Sequence, residues 1–154
     1  MASTITAATM TVKIIETISL NGKDQGSTNT QTIASINEIS KRILTITTAE
    51  SVIATFSSAV ASAGHFVAAN VRYMRFTNKD DTNFITLTFR NQDNDEVAIK
   101  LDAGQSFVWN ADNSGGLVDN MDANSGGAAS SGQLGDITKV QIRQTQPHVM
   151  WRCL

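Results

Sequence analysis

The alternation of apolar and polar residues along the chain predicts β-strands rather than helices. Thr, Val, Ile and Phe crowd the segments between short polar clusters, and the single proline, Pro147, lies near the end. Residues of these types fit the pleated, half-buried surface of a sheet. We therefore predict an all-β fold, a two-layer β-sandwich for which a jelly roll is one arrangement.

The first predicted strand covers residues 10–20, MTVKIIETISL, and ends at a tight turn. Asn21-Gly22 follows it, the dipeptide that best tolerates positive φ. Residues 28–39 are polar enough for either an edge strand or a structured loop. We expect residues 1–11 to form a flexible N-terminal arm and residues 12–154 to form a single sandwich domain.

A hairpin is predicted over residues 42–57. The β-rich runs RILTIT (42–47) and VIATFS (52–57) are joined by four residues, a connection of hairpin length. An alanine-rich helix over residues 49–63 is the competing interpretation. The β-branched residues and serines of that stretch count against a helix.

The most regular alternation lies in residues 71–109 and predicts a four-stranded β-meander. Polar clusters at residues 78–83 and 91–94 separate the first three strands. Alternation assigns one set of apolar side chains to the core-facing sides of these strands. These residues are Met74, Phe76, Ile85, Leu87, Phe89, Val97, Ile99 and Leu101.

Residues 110–136 have no sustained period and predict a long loop rich in Gly, Ser and Asn. This segment contains six of the ten glycines in the chain. A loop of such length in a compact domain is uncommon and is usually functional or disordered. Residues 137–144, ITKVQIRQ, resume the alternation and are predicted as a strand that closes the sheet.

Composition limits the classes of function. The 154 residues are 41% hydrophobic and 17% charged, which suits one domain with a real core and a surface made polar by Thr, Ser and Asn. The net charge is -2, so the chain lacks the concentrated positive charge that binds a phosphate backbone. We therefore predict no nucleic-acid partner. The lone Cys153 allows no intrachain disulfide, and no apolar run is long enough to predict a membrane span.

The Asp80-Asp81 pair raises the question of whether residues 78–83 hold a catalytic site or a bend. Adjacent strand residues point to opposite faces, and in a turn both usually face solvent. The pair is therefore poorly placed to share a proton or to act on a sugar between two carboxylates. We predict a bend, because Asn and Asp suit turns through local side-chain hydrogen bonds.

Two acidic clusters contain the oxygen ligands that calcium prefers, at residues 93–96 (DNDE) and 119–122 (DNMD). Neither has the glycine and distal glutamate of an EF-hand. We predict solvated turns at both clusters, and no metal or cofactor.

No catalytic set is evident in the sequence. His65 and His148 are far apart, and neither lies in a motif that would supply a nucleophile. The glycines of residues 115–135 are not followed by the Gly-Lys-Ser/Thr of a phosphate-binding loop. We predict that the protein is not an enzyme.

Three aromatic residues, Phe107, Trp109 and Trp151, are candidates for a platform on which a sugar ring stacks, because they offer rigid apolar area with a polar handle. Packing in a core or an interface is the more frequent use of such side chains.

Residues 71–89, VRYMRFTNKDDTNFITLTF, followed by EVAIKLDAGQSFVWN, resemble a pattern of small virion structural proteins of tailed bacteriophages. In that pattern a "(Y/F)-x-R-(I/F)-T-N-x-D-x-T-N-(F/Y)" segment precedes a strand that ends in "K-L-x-A-G-(E/Q)-S-F". The resemblance covers about residues 42–109 and carries no catalytic residue. The matching positions are Tyr73, Arg75, Phe76, Thr77, Asn78, Asp80, Thr82, Asn83, Phe84, Lys100, Leu101, Ala103, Gly104, Gln105, Ser106 and Phe107.

The resemblance implies a non-enzymatic virion protein, above all a capsid decoration or cement protein that binds the major capsid protein and stabilises the outer shell. It further implies a homo-oligomer, with a trimer favoured, that is assembled in the host cytoplasm and works in the virion. The alternative is a tail or fibre-associated module that recognises a host surface glycan through Trp109 or the loop at 110–136. A virion-borne hydrolase is disfavoured by the missing nucleophile and base.

Overall fold

The computed structural model describes residues 5–91, 94–110, 137–144 and 150–153, apart from the side chains of residues 110 and 150–153. These residues form strands and one three-residue 3-10 helix, Ala68–Asn70, and no helix among them could span a membrane. The chain divides into two compact units, residues 1–39 and 40–154. The strands are β1 Ala8–Glu16, β2 Ser19–Leu20, β3 Lys23–Asp24, β4 Ser27–Ile36, β5 Arg42–Thr45, β6 Ser51–Ser57, β7 His65–Val67, β8 Tyr73–Asn78, β9 Ile85–Asn91, β10 Glu96–Leu101, β11 Ser106–Asn110, β12 Ile137–Gln144 and β13 Met150–Cys153.

The first unit is a long hairpin. β1 pairs antiparallel with β4, and β2 pairs with β3 nearer the tip. At the tip Asn21 and Gly22 have φ of 51° and 76°, the two positive values of a type I′ turn. The predicted turn is confirmed, and residues 28–39, left open between strand and loop, lie largely in β4.

The predicted boundary between an arm and a sandwich, at residues 11 and 12, falls inside β1. β1 is paired with β4 on both sides of that boundary, from Ala8 to Glu16. The boundary between the two compact units falls along the chain between Ile39 and Ser40. The hairpin pairing explains the difference, because it joins residues 8–16 to residues 27–36.

The second unit contains two sheets whose strands pair in a nested order. β5 pairs with β13, β6 with β12, β8 with β11, and β9 with β10, so the first strand meets the last and pairing proceeds inward. One sheet has the order β10-β9-β12-β6-β7 and the other β11-β8-β13-β5. The predicted all-β sandwich is confirmed, and the nested order agrees with jelly-roll connectivity.

The hairpin predicted over residues 42–57 is wrong, although both of its strands form. β5 lies in the four-stranded sheet beside β13, whereas β6 lies in the five-stranded sheet beside β12. Residues 46–50 therefore pass from one sheet to the other, and Ile46 is buried in the core on the way. A short polar connection is compatible with such a crossing as well as with a hairpin.

The predicted meander over residues 71–109 is also wrong in its pairing. Only β9 and β10 form a hairpin, while β8 and β11 pair with each other in the opposite sheet. Residues 79–84 and 102–105 are therefore connections between sheets. Residues 137–144 form β12 as predicted, but β12 lies between β9 and β6 rather than at an edge.

The core lies between the two sheets and is centred on Phe89. This side chain is 1% exposed, and its ring lies 6.2 Å from that of Phe76 on the opposite sheet. Most of the predicted core-facing residues are buried, but Val97 is 46% exposed on the edge strand β10. The buried apolar cluster comprises Ile46, Ile53, Ala54, Phe56, Met74, Phe76, Ile85, Leu87, Phe89, Leu101, Ile137, Val140 and Ile142.

Replacing Phe89 by Ala is expected to reduce the free energy of unfolding by about 3–5 kcal/mol, because the cavity left between the sheets cannot collapse fully. Urea denaturation followed by fluorescence measures the loss. The matched control is Val97→Ala, which is expected to cost less than about 1 kcal/mol because that side chain is half exposed. Equal losses in the two variants would contradict a core centred on Phe89.

Candidate functional site

The side chain of Asp80 is the centre of a hydrogen-bonded turn that connects β8 to β9. Its Oδ1 accepts the backbone N–H groups of Thr82 at 2.6 Å and Asn83 at 2.9 Å. Its Oδ2 accepts from the side-chain amides of Asn83 at 3.2 Å and Gln144 at 3.4 Å. Gln144 ends β12, so Asp80 joins the crossing segment to a central strand of the five-stranded sheet.

Asn78, fully buried at the end of β8, fixes the other side of this turn. Its Nδ2 donates to the carbonyl oxygens of Asn83 at 2.8 Å and Leu101 at 3.1 Å. Its Oδ1 accepts the N–H of Asp80 at 2.9 Å, and its own N–H donates to Gln105 O at 2.8 Å. A buried amide with all of these partners is stabilising, because each partner would otherwise be buried without a hydrogen bond.

These hydrogen bonds lower the pKa of the Asp80 carboxyl below its ordinary value. The backbone N–H of Asn83 is the largest cause, since it donates to the ionised form. The backbone N–H of Thr82 and the Asn83 amide act in the same direction, and partial loss of hydration opposes them. A carboxyl with a lowered pKa holds its charge at neutral pH and is unsuited to act as a general acid.

Asp81 differs from Asp80 in its contacts. Its carboxylate accepts one bond, from the Thr82 hydroxyl at 3.0 Å, and its side chain is exposed. Asp80 and Asp81 therefore differ in their hydrogen-bond partners, and the Asp81 side chain adds to the lowering of the Asp80 pKa. Residues 78–83 are a bend, as predicted, but one that crosses between sheets. Asp80 contacts Gln144, a residue 64 positions away in sequence, and local sequence pattern could not predict this contact.

The described part of the first acidic cluster also supports a turn. Asp95 Oδ2 accepts from the Asn91 amide at 3.1 Å, and Asp95 N–H donates to Asn91 Oδ1 at 2.8 Å. Glu96 forms an ion pair with Arg90, the residue opposite it on β9. Residue 93 and the whole second cluster, 119–122, lie outside the described residues. Within the described ranges no three His, Cys, Asp or Glu side chains lie close enough together to hold a metal ion.

Two of the three candidate stacking aromatics pack against the core. The ring of Phe107 lies 5.4 Å from that of Phe89, and the ring of Trp109 lies 5.6 Å from it in an edge-to-face arrangement. Phe107 and Trp109 also contact each other edge to face at 6.3 Å. Both side chains are partly buried against the core, which is the packing role weighed against sugar stacking in the sequence. The side chain of Trp151 lies outside the described part of the structure.

His65 begins β7 and lines a shallow depression beside Arg42 and Gly64. Arg42 extends from β5 and donates through Nη2 to the carbonyl oxygen of Ile53 on β6, which joins the edges of the two sheets. No Asp or Glu forms an ion pair with Arg42 or His65 within the described ranges. His148, the glycines of 115–135 and residues 111–136 of the predicted loop lie outside them.

An exposed apolar surface on the first hairpin was not singled out from the sequence. Its members, Ile14, Ile15, Ile18 and Leu20, are between 46% and 67% exposed. Ile14 and Ile15 are adjacent on β1 and so lie on opposite faces of the two-stranded sheet. We call these four residues the hairpin surface. The sequence did contain a signal for this surface. Residues 12–20, VKIIETISL, have isoleucine at adjacent positions, so one of the two must lie on each face of a strand.

Comparison with protein-family models, with curated proteins and with solved structures gives no match to this chain. The bacteriophage resemblance carried by residues 73–107 stays a prediction. Evidence about function therefore comes from the residues of the chain itself, above all from the hairpin surface.

Replacing Asn78 by Ala is expected to lower the free energy of unfolding by about 2–4 kcal/mol, since it leaves buried groups of Asn83, Leu101 and Asp80 without partners. Thermal and urea unfolding measure the loss. Asn70→Ala, at an exposed asparagine, is the matched control and is expected to change stability by less than about 0.5 kcal/mol. A similar stability of the two variants would show that the Asn78 hydrogen bonds are dispensable.

Replacing Asp80 by Asn is expected to lower the melting temperature at neutral pH, with a deficit that shrinks in acid. Because the folded pKa is lowered, the stability due to ionised Asp80 is fully present above the ordinary value of about 3.9 and is lost as pH falls through the folded value. Melting curves of wild type and variant should stay a constant distance apart above about pH 5 and converge below about pH 4. A deficit that does not vary with pH would contradict the assignment.

Proposed function

We propose that the protein is a non-enzymatic structural component of a bacteriophage virion, a capsid decoration protein that binds the major capsid protein and stabilises the shell. The sandwich is the folded body in this proposal, and the hairpin of residues 8–36 is the attachment element. A homo-oligomer, which the resemblance also implies, is part of the same proposal, but the number of its subunits is not.

The hairpin surface is the observation that carries the proposal. Exposed isoleucine and leucine side chains on a small sheet cost free energy in water, so their concentration in one hairpin indicates a partner surface. Ile14 and Ile15 lie on opposite faces, which suits a hairpin inserted between two walls better than one resting on a single flat surface. A groove between neighbouring capsid subunits has that shape.

The composition of the hairpin supports a protein partner. Residues 8–36 include Lys13, Glu16, Lys23 and Asp24, whose charges cancel. An element without net charge has no electrostatic attraction for a phosphate backbone. The same lack of charge suits a contact made by apolar side chains and backbone hydrogen bonds.

The fold by itself does not distinguish the two candidate functions. Two-sheet folds with jelly-roll connectivity occur in viral capsid proteins and in lectins, so fold-level analogy is compatible with both. The glycan-binding alternative invoked Trp109 or the loop at 110–136. The Trp109 ring packs against Phe89, and residues 111–136 lie outside the described residues. The hairpin surface therefore favours attachment to protein.

Replacing Ile15 by Asp is expected to weaken binding to expanded shells of the cognate phage by about 10- to 100-fold. That range corresponds to roughly the 1.5–3 kcal/mol contributed by one buried isoleucine. Co-sedimentation at a series of protein concentrations measures the affinity, and circular dichroism checks the fold.

Val97→Asp is the matched control, because Val97 is similarly exposed but lies on the sandwich. Its binding to shells is expected to equal that of wild type. Undiminished binding by Ile15→Asp would remove the hairpin surface from the attachment mechanism, and wild-type protein that ignores shells would overturn the proposal itself.

A further inference from the structure

The outer edge of β4 is a strand edge along which Thr28, Thr30 and Thr32 are exposed, although Ile33 is fully buried. Residues 27–36, STNTQTIASI, contain no charged residue and no proline. Among the described residues no strand pairs with β4 on the side away from β1. Natural sheets usually blunt exposed edges with lysine, proline, bulges or short length, since an open edge is a template for another strand.

The register shows which backbone groups of β4 point outward. Gln25 N–H donates to Ile18 O at 2.9 Å across the hairpin. This pair is in the same register as the pairs from Glu16–Ser27 to Met10–Ile33, because the two residue numbers of each pair have the same sum. Even-numbered residues of β1 are therefore the ones that exchange hydrogen bonds with β4.

A close approach at Gly26 agrees with this assignment. A Cβ at Gly26 would lie 2.3 Å from Glu16 O, so that carbonyl points across to the partner strand. By the same alternation Thr28, Thr30 and Thr32 turn their N–H and C=O groups away from β1. They present three evenly spaced donor and acceptor sets along the free edge.

The free edge of β1 differs from that of β4. Its outward-facing residues include Lys13, directly opposite Thr30, and β1 also contains Glu16. Charged side chains on an edge strand discourage pairing with another strand, because they would have to be desolvated or paired. The two edges of one hairpin are thus unequal, and β4 is the one open to a partner.

We propose that β4 pairs antiparallel with β4 of a second copy of this chain, centred on Thr30, so that two hairpins form one four-stranded sheet. A second copy is the occupant because the edge is complementary to itself: around a two-fold axis, Thr28 of one copy lies opposite Thr32 of the other. Ser35, with φ of 60°, interrupts the regular strand beyond Ile33, which leaves Thr30 at the middle of the usable edge.

Energetic considerations also support this pairing. A two-stranded sheet is marginally stable in water, whereas a sheet of more strands is stable. Cross-strand threonine pairs add favourable contacts along the new seam. The contact is two-fold, so by itself it makes a dimer and not the trimer that the bacteriophage resemblance implies.

The first test is the mass in solution, by light scattering over a concentration series. Wild type is expected to reach twice the 16.5 kDa of one chain, and Thr30→Pro to remain at one chain, because proline removes an outward N–H and blocks the seam. Lys13→Pro is the matched control, since it removes the equivalent outward N–H from the opposite edge, and it should stay dimeric. A monomeric or trimeric wild type, or a dimer that survives Thr30→Pro, would overturn the proposal.

Cysteine cross-linking tests the register in a chain without the proline. In a Cys153→Ser background, Thr30→Cys should form a disulfide-linked dimer under diamide, because paired residues lie about 5.5 Å apart at Cα. Thr28→Cys should not, since the two copies of residue 28 would lie roughly 13 Å apart along the strands. Equal cross-linking at both positions, or at neither, would contradict the register.

The two proposals fail separately. Ile15→Asp leaves the β4 edge intact and should reduce binding to shells while the dimer persists. Thr30→Pro leaves the hairpin surface intact and should abolish the dimer.

Discussion

Two sheets enclose a single core here only because the chain passes repeatedly from one sheet to the other, and buried polar groups hold those passages in place. Asn78 shows how this works, since its side-chain amide satisfies backbone groups of Asp80 and Asn83 in the crossing segment and of Leu101 at the end of β10. Without such bonds the crossing would leave backbone groups unpaired near the core, at a cost comparable to that of a large apolar truncation. The packing of Phe89 against Phe76 depends on the sheets being held face to face in this way.

The same residues explain why a sequence rich in Asp and Asn has no evident reaction centre in its described part. Asp80 and Asp95 accept hydrogen bonds from nearby N–H groups and amides, and Glu96 pairs with Arg90. In each case the acidic group stabilises a connection or a strand pair. The described contacts of these three carboxylates are thus contacts within the fold.

The hairpin of residues 8–36 has the opposite character. Its four residues Ile14, Ile15, Ile18 and Leu20 are exposed, and no strand among the described residues pairs with the outer edge of its strand β4. Both features cost free energy when the chain is alone in water and are relieved by contact with another surface. In both proposals the sandwich is the stable body and the hairpin makes the contacts. The two kinds of contact use different parts of the hairpin, apolar side chains in one case and a backbone edge in the other.

The class of fold and most strand positions follow from local sequence alone, because alternation and turn residues are local signals. β12 begins and ends where the pattern of residues 137–144 placed it, and the Asn21-Gly22 turn follows from the φ preferences of those two residues. Candidate residues such as Asp80 and Trp109 could be named, but not their partners. Strand pairing became known from the folded chain alone, since a polar connection of four to six residues serves a hairpin and a crossing equally well. The same holds for the packing of Trp109 against the core, the contact of Asp80 with Gln144, and the exposure of the isoleucines of β1. Each of these depends on contacts between residues far apart in the chain, which local periodicity does not encode.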